Sequence, residues 1–347
     1  MNVSREHTGA KHHLYQDDDP VLESYFGGGE NGGCCTANNG QGWPKYAMRS
    51  VYRTPADGGV AIGVLAPIRV QLAPQTVLLV STEYPFEDRA EVLIQGALAT
   101  ATPVRVRVPG WATAARAWLN GVELPAPVNG TMLRTVCPAS PLPQLCNLTL
   151  DTNPSVRLER WFNDSVSVLR GSLLFSMYIG NNFTDYKACE DYPYASGAGS
   201  ACPHRGPKPR PTEAKWLGVD RTAPYNIALV IDDMADPERS FELTRNGLEC
   251  RVAPASAAWP VCALQTPAAC VRECDPPFTH TAFPLTLAAT GRPVTGWGME
   301  PGSDVEATPP PASPACADEA GACGPPAKVL LVPHGSTALR IGSFPVA

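Results

Sequence analysis

Val104-Arg105-Val106-Arg107-Val108-Pro109-Gly110-Trp111-Ala112 sets a valine at every second position, an arginine between each pair, and Pro-Gly as a stop. In an extended strand successive side chains point to opposite faces, so the valines turn to a core and the arginines to water. The same grammar recurs on both sides. Val60, Ile62 and Val64 alternate, and Val77 to Val80 form a buried-type run. Further strands are expected over Cys146–Leu150, Val166–Ile179, Ile227–Ile231, Phe241–Thr244, Leu285–Ala288, Val329–Val332 and Ala338–Ile341. With 347 residues, 44% hydrophobic content, 37 Pro and 30 Gly, the chain can bury two modest cores and is poor in long helices. Two packed β-sandwiches are the economical architecture.

The expected division is 1–55, a segment carrying a pair of cysteines; 56–162, a first sandwich; and 163–347, a second sandwich with a Pro-rich loop. The boundary between the sandwiches is placed near Glu159–Ser165. Pro44 suits a first helical position, and Tyr46, Ala47, Ser50 and Val51 then share a helical face. Thr54-Pro55-Ala56-Asp57-Gly58-Gly59 breaks that pattern and reads as a linker. The Pro/Ala-rich stretch from Pro301 to Lys328 is expected to be an exposed loop clipped by Cys316 and Cys323.

Net charge is −6, which offers no general attraction to a phosphate backbone. The basic stretch from His204 to Arg210 is broken by prolines and reads as a solvated loop. Nucleic acid is therefore not an expected partner, and no apolar run approaches the roughly 20 residues of a membrane-spanning helix. Twelve cysteines are many for a reducing compartment. Ten of them fall close together, as Cys137 with Cys146, Cys189 with Cys202, Cys250 with Cys262, Cys270 with Cys274 and Cys316 with Cys323. Proximity suggests local disulfides, although spacing does not fix connectivity. Sequons at Asn2, Asn129, Asn147, Asn163 and Asn182 agree with a secreted or secretory-pathway protein. The lead from Met1 to Pro20 is polar and acidic, without a signal peptide's apolar stretch, so a longer gene product would reconcile the two.

The remaining two cysteines are adjacent, in Gly32-Gly33-Cys34-Cys35-Thr36-Ala37-Asn38, and Gln41-Gly42-Trp43-Pro44-Lys45 follows. Neighbouring cysteines do not readily bond each other. Thiolates are soft ligands that suit zinc, and zinc keeps a bound cysteine deprotonated at neutral pH, which makes the same sulfur a candidate nucleophile. The alternative is two structural cysteines, each bonded elsewhere. His7, His12, His13 and Glu30 could complete a local site, but histidines beside Asp17-Asp18-Asp19 read more simply as a solvated terminal loop. Asn38, Gln41 and Trp43 are candidate substrate-binding residues, because amides bond sugar hydroxyls and aromatic faces stack on sugar rings; Trp43 could equally be packed. Trp111 reads as core. Trp161, Trp216 and Trp259 could form a carbohydrate-binding face, though their spacing does not require it.

The block GGCCTANNGQGWPK, Gly32 to Lys45, resembles the cysteine-pair motif of glycoside hydrolase family 127, the β-L-arabinofuranosidase-like enzymes. Tyr84-Pro85-Phe86, the Val104–Ala112 strand and the turn at Leu119-Asn120-Gly121 look like the family's first β-sandwich. Arg170-Gly171-Ser172-Leu173-Leu174-Phe175 resembles its RGPLVY-like strand with Ser for Pro, and Leu331 to Ile341 its closing LxPYGxTxLRI strand. The resemblance implies two β-sandwich domains preceded by an (α/α)6 barrel, of which 1–55 would be a short remnant. It implies a zinc site in which Cys34 is the catalytic nucleophile and touches the metal, Cys35 is a metal ligand, and the substrate is a terminal β-L-arabinofuranoside cleaved with retention. The family's Glu-x-Cys ligand pair and acid/base glutamate belong to the barrel, and no Glu-x-Cys occurs between Met1 and Asn31. Two readings follow: the C-terminal portion of a zinc-cysteine glycosidase, weakly active or inactive alone, or a non-catalytic β-sandwich module that binds carbohydrate or protein.

Overall fold

The computed structural model describes residues 12–13, 42–179, 182–186, 216–220, 223–246, 250–253, 271–274, 283–298, 307–316, 321–336 and 341–347. Strand β1 (His12–His13) and helix α1 (Gly42–Met48) come first. Then follow β2 (Val51–Thr54), β3 (Gly59–Ile62), β4 (Ile68–Ala73), β5 (Thr76–Thr82), β6 (Arg89–Leu98) and β7 (Thr102–Arg107). The valines of the opening stretch behave as their alternation requires: Val104, Val106 and Val108 are at most 1% exposed. Arg105 turns outward, where it donates to Thr54 Oγ1 at 3.2 Å and pairs with Asp57. The Asp57 carboxyl lies well below the usual carboxylate range, first through the Arg105 hydrogen bond and then through that from Thr54. The expected linker is thus a latched turn between β2 and β3.

Continuing the chain are β8 (Arg116–Leu119), β9 (Val122–Glu123), β10 (Met132–Cys137) and β11 (Ser140–Asp151). They complete a four-stranded sheet in the order β10-β7-β3-β2 and a six-stranded sheet in the order β4-β5-β6-β11-β8-β9. β3 and β7 run parallel; the other pairs are antiparallel. Val60, Ile62, Val104 and Val106 from one sheet meet Leu78, Val80, Val92, Ile94, Leu148 and Leu150 from the other in a single apolar cluster. The Cys137–Cys146 disulfide, Cα–Cα 5.9 Å, ties β10 of the four-stranded sheet to β11 of the six-stranded sheet, with both cysteines inside that cluster.

β12 (Val156–Arg160) lies on the N-terminal side of the boundary expected at 162 but pairs within the second body. Sequence favoured one continuous strand over Val166–Ile179. The chain instead folds into a hairpin, β13 (Val166–Arg170) and β14 (Leu173–Met177), because Gly171 takes φ +59° at the turn. β16 (Trp216–Asp220) pairs antiparallel with β1 on one side and with β15 (Asn182–Tyr186) on the other. β17 (Ile227–Leu229) and β18 (Phe241–Arg245) lie end to end along β21 (Leu285–Pro293), whose other edge takes β22 (Ala327–Pro333). Between them in sequence, β19 (Cys250–Ala253) and β20 (Val271–Cys274) form a separate ladder.

The second core gathers Val166, Val168, Phe175, Met177, Leu229, Leu285, Leu287, Leu331 and Phe344 against the seven strands β12-β13-β14-β22-β21 with β17 and β18. The C-terminal tail laces it. Val166 N–H donates to Phe344 O at 2.7 Å, Met177 N–H to Ile341 O at 2.8 Å, and Leu229 N–H to Pro345 O at 2.9 Å. Of the expected strand Ala338–Ile341, residues 338–340 lie outside the described residues, and Ile341 makes this bridge.

One expectation is corrected here. The Pro/Ala-rich stretch is clipped by Cys316–Cys323, Cα–Cα 5.3 Å, but Ala307, Ala315, Cys316 and Cys323 lie against the second core rather than in an exposed loop. Trp297 Nε1 donates to Thr308 O at 2.8 Å, so the backbone of that stretch satisfies a buried indole. By backbone register the ladder β19–β20 sets Cys250 opposite Cys274, whereas spacing in sequence grouped Cys250 with Cys262 and Cys270 with Cys274. Cross-strand register brings residues together across a sequence gap that proximity in sequence does not see. Cys189, Cys202, Cys262 and Cys270 lie outside the described residues.

Asp88, in the turn before β6, joins the two bodies. Arg170 Nη1 and Nη2 donate to its two carboxylate oxygens at 2.8 and 2.9 Å, and Arg245 pairs with Oδ2. Thr152 donates its N–H and its hydroxyl to Asp88 O, both at 2.8 Å. Trp111 packs against the first core, and its ring lies over Gly171 of the second body.

Candidate functional site

The motif segment is delivered to the β body by α1. Pro44 is the third residue of this helix, two places beyond the first helical position expected for it, and still within the first turn, where its missing N–H has no intrahelical partner to lose. The helix is seven residues long and lies on the surface. Tyr46 and Ala47 are exposed rather than packed, which corrects the shared apolar face read from sequence; two turns are too short to carry a stripe that excludes water. Burial falls instead on Ser50, 1% exposed, whose hydroxyl donates to Tyr46 O at 2.8 Å, while Val51 packs on the first core. Gly63 N–H donates to Ser50 O at 2.9 Å and ties the helix end to β3. Partial burial, and then the proximity of Tyr84, hold the Tyr46 hydroxyl above the ordinary tyrosine value.

Cys34, Cys35, Asn38 and Gln41 lie outside the described residues, as do His7 and Glu30. Trp43 lies in α1 by its backbone. Among the described residues no three His, Cys, Asp or Glu side chains converge as a metal group. Cys137, Cys146, Cys316 and Cys323 are all engaged in disulfides and offer no thiolate. Trp161 is exposed at 59%, Trp216 lies in β16 by its backbone, and Trp259 is outside the described residues.

The sequence reading missed one polar pair. Ser176 Oγ and His334 Nδ1 are 2.7 Å apart, at the spacing of a nucleophile and its base. Ser176 is fully buried, so no substrate reaches its oxygen, and the pair fastens β14 to the turn after β22. Only register brings the two together, and the family-like Leu331–Ile341 strand carries no hint of it.

No family model matches the chain, and no curated protein matches it. Solved structures do. A protein described as a glycoside hydrolase overlays with a TM-score of 0.52 at 12% identity, covering 96% of this chain and 42% of its own. A family 127 β-L-arabinofuranosidase from Geobacillus stearothermophilus T6 gives 0.44 at 12% identity, covering 93% and 38%. A second family 127 β-arabinofuranosidase gives 0.40 at 10%, covering 83% and 35%. The chain thus spans less than half the length of the structures it matches. The fold of this chain, mainly β with two cores and the short helix α1, overlays part of the first of these structures.

Proposed function

We propose that this chain is the cysteine-pair and β-sandwich portion of a glycoside hydrolase of the family 127 type, acting on a terminal β-L-arabinofuranoside or a related sugar. The observation that carries the reading is the block Gly32–Lys45, joined through α1 to a β body that overlays a solved glycoside hydrolase along 96% of the chain. In this proposal Cys34, as thiolate, attacks the anomeric carbon, a carboxylic acid protonates the departing oxygen, and water then releases the sugar from sulfur. Asn38, Gln41 and Trp43 hold the sugar.

Adjacent thiolates suit zinc, which when bound would keep them deprotonated, but Cys34 and Cys35 supply only two of the four ligands zinc usually takes. The described residues add no cluster to complete them. The remaining ligands and the proton donor are assigned to a preceding barrel, beyond these 347 residues. Loss of general-acid assistance alone costs about 10²–10⁴-fold in rate. The purified chain is accordingly expected to bind zinc weakly and to release negligible arabinose from a synthetic β-L-arabinofuranoside. Elemental analysis and a sugar-release assay measure both. One tightly bound zinc per chain with Cys34-dependent turnover would place the whole site within these residues. A full gene product with no Cys34-dependent turnover would overturn the activity itself.

A further inference from the structure

Trp161 and Phe162 are 59% and 67% exposed, side by side, whereas the other aromatics among the described residues are mostly covered. They open a tight turn, Phe162–Asp164, held by Trp161 N–H donating to Ser165 O at 2.8 Å and Ser165 N–H to Phe162 O at 3.1 Å. The next residue, Asn163, belongs to the sequon Asn163-Asp164-Ser165 and takes φ 57° and ψ 30°, the left-handed region that asparagine tolerates. Its side chain is exposed, and Nδ2 spends one of its two hydrogens on Pro310 O at 2.9 Å. One hydrogen of that amide can therefore be replaced without loss of the bond.

We propose that Asn163 is an N-glycosylation site whose first sugar packs on Trp161 and Phe162. The reaction joins the Asn163 amide nitrogen to C1 of the first sugar of a lipid-pyrophosphate-linked oligosaccharide. The C1–oxygen bond to pyrophosphate breaks, the lipid pyrophosphate leaves, and the amide loses one proton. The Ser165 hydroxyl is read before folding. Afterwards it is 1% exposed, donating to Phe162 O at 2.7 Å and lying 3.0 Å from Ser343 Oγ. Sugar rings present an apolar C–H face to an aromatic ring, so the glycan covers two side chains that otherwise waste apolar surface in water.

The two other sequons whose side chains are described differ in ways that make them comparators. Asn147 lies in β11 between β6 and β8, half-buried, with Thr149 5% exposed, so a glycan there would obstruct the sheet. Asn129 sits on an exposed turn and donates to Gly110 O at 2.8 Å, but no aromatic precedes it within three residues. Passage through an oxidising compartment, which the two disulfides fit, is the condition the reaction needs.

The test is to send the full chain, with an added leader, through a eukaryotic secretory pathway and map its peptides by mass spectrometry. A glycan on Asn163 and none on Asn147 is the expected result; an unmodified Asn163 in the secreted or lumenal chain overturns the site. For the packing, Trp161→Ala/Phe162→Ala is compared with the parent in two forms, glycosylated and made with lipid-linked sugar synthesis blocked. The double substitution should lower Tm by about 1–3 °C more in the glycosylated form. Equal losses in both forms overturn the packing.

Discussion

Replacing Asp88 should reveal how firmly the two bodies are coupled. Its bidentate partner Arg170 is 6% exposed, whereas its second partner Arg245 is 42% exposed. The Arg170 guanidinium already leaves its Nε buried without a partner, so nothing local would take over if the carboxylate were removed. Breaking a buried pair from one side costs about 3–5 kcal/mol, and an exposed arm about 0–1 kcal/mol. Because Asp88 keeps 20% exposure, the lower end applies, about 3 kcal/mol for Asp88→Ala and under 1 kcal/mol for Arg245→Ala. Urea denaturation followed by tryptophan fluorescence measures the midpoint shift of each variant. Burial pushes the Asp88 carboxyl up, but the hydrogen bonds and charge of Arg170, with the charge of Arg245, outweigh it and leave the group below its ordinary value. A carboxylate depressed in the folded state stabilises above its unfolded pKa and loses that contribution as pH falls through the folded one. The gap between wild type and Asp88→Asn should be constant at neutral pH and close as the pH drops below about 3.9. A gap that is flat into acid, or an Arg245→Ala loss equal to that of Asp88→Ala, would refute the assignment of the energy to the buried Arg170 pair.

Gly96 stands in β6 with φ +129°, and a Cβ there would collide with Gln75 O; Gly96→Ala should cost about 2–3 kcal/mol, and a Tm within a degree of wild type would contradict it. Cys137→Ala/Cys146→Ala removes the covalent link between the two sheets of the first body and should cost about 2–3 kcal/mol of stability by denaturant titration, with β10 the first region to lose hydrogen-exchange protection. Removing zinc with a chelator should leave the Tm of this chain unchanged, because the described cores are built from side chains and disulfides; a drop of several degrees would mean a metal holds the fold.

The alternation of Val104, Val106 and Val108 told which residues are strand and which face is core, because the side-chain period of a strand is a local property of two peptide units. Turn chemistry at Pro109-Gly110 and Asn120-Gly121 was equally local, and Asn120 and Gly121 do take positive φ. The motif from Gly32 to Lys45 was legible as chemistry, and its helical end appears as α1, although the thiols themselves lie outside the described residues. What the chain could not announce was partnership. Backbone ladders bond without regard to side-chain identity, so the parallel pairing of β3 with β7, the place of β11 between β6 and β8, and the opposition of Cys250 to Cys274 depend on the folded path. The same holds for the tail that laces Phe344 to Val166, and for Asp88 finding Arg170 and Arg245 across the junction. Each is a contact between residues far apart in sequence. Loop closure and burial bring such residues together, and only the tertiary structure decides which they are.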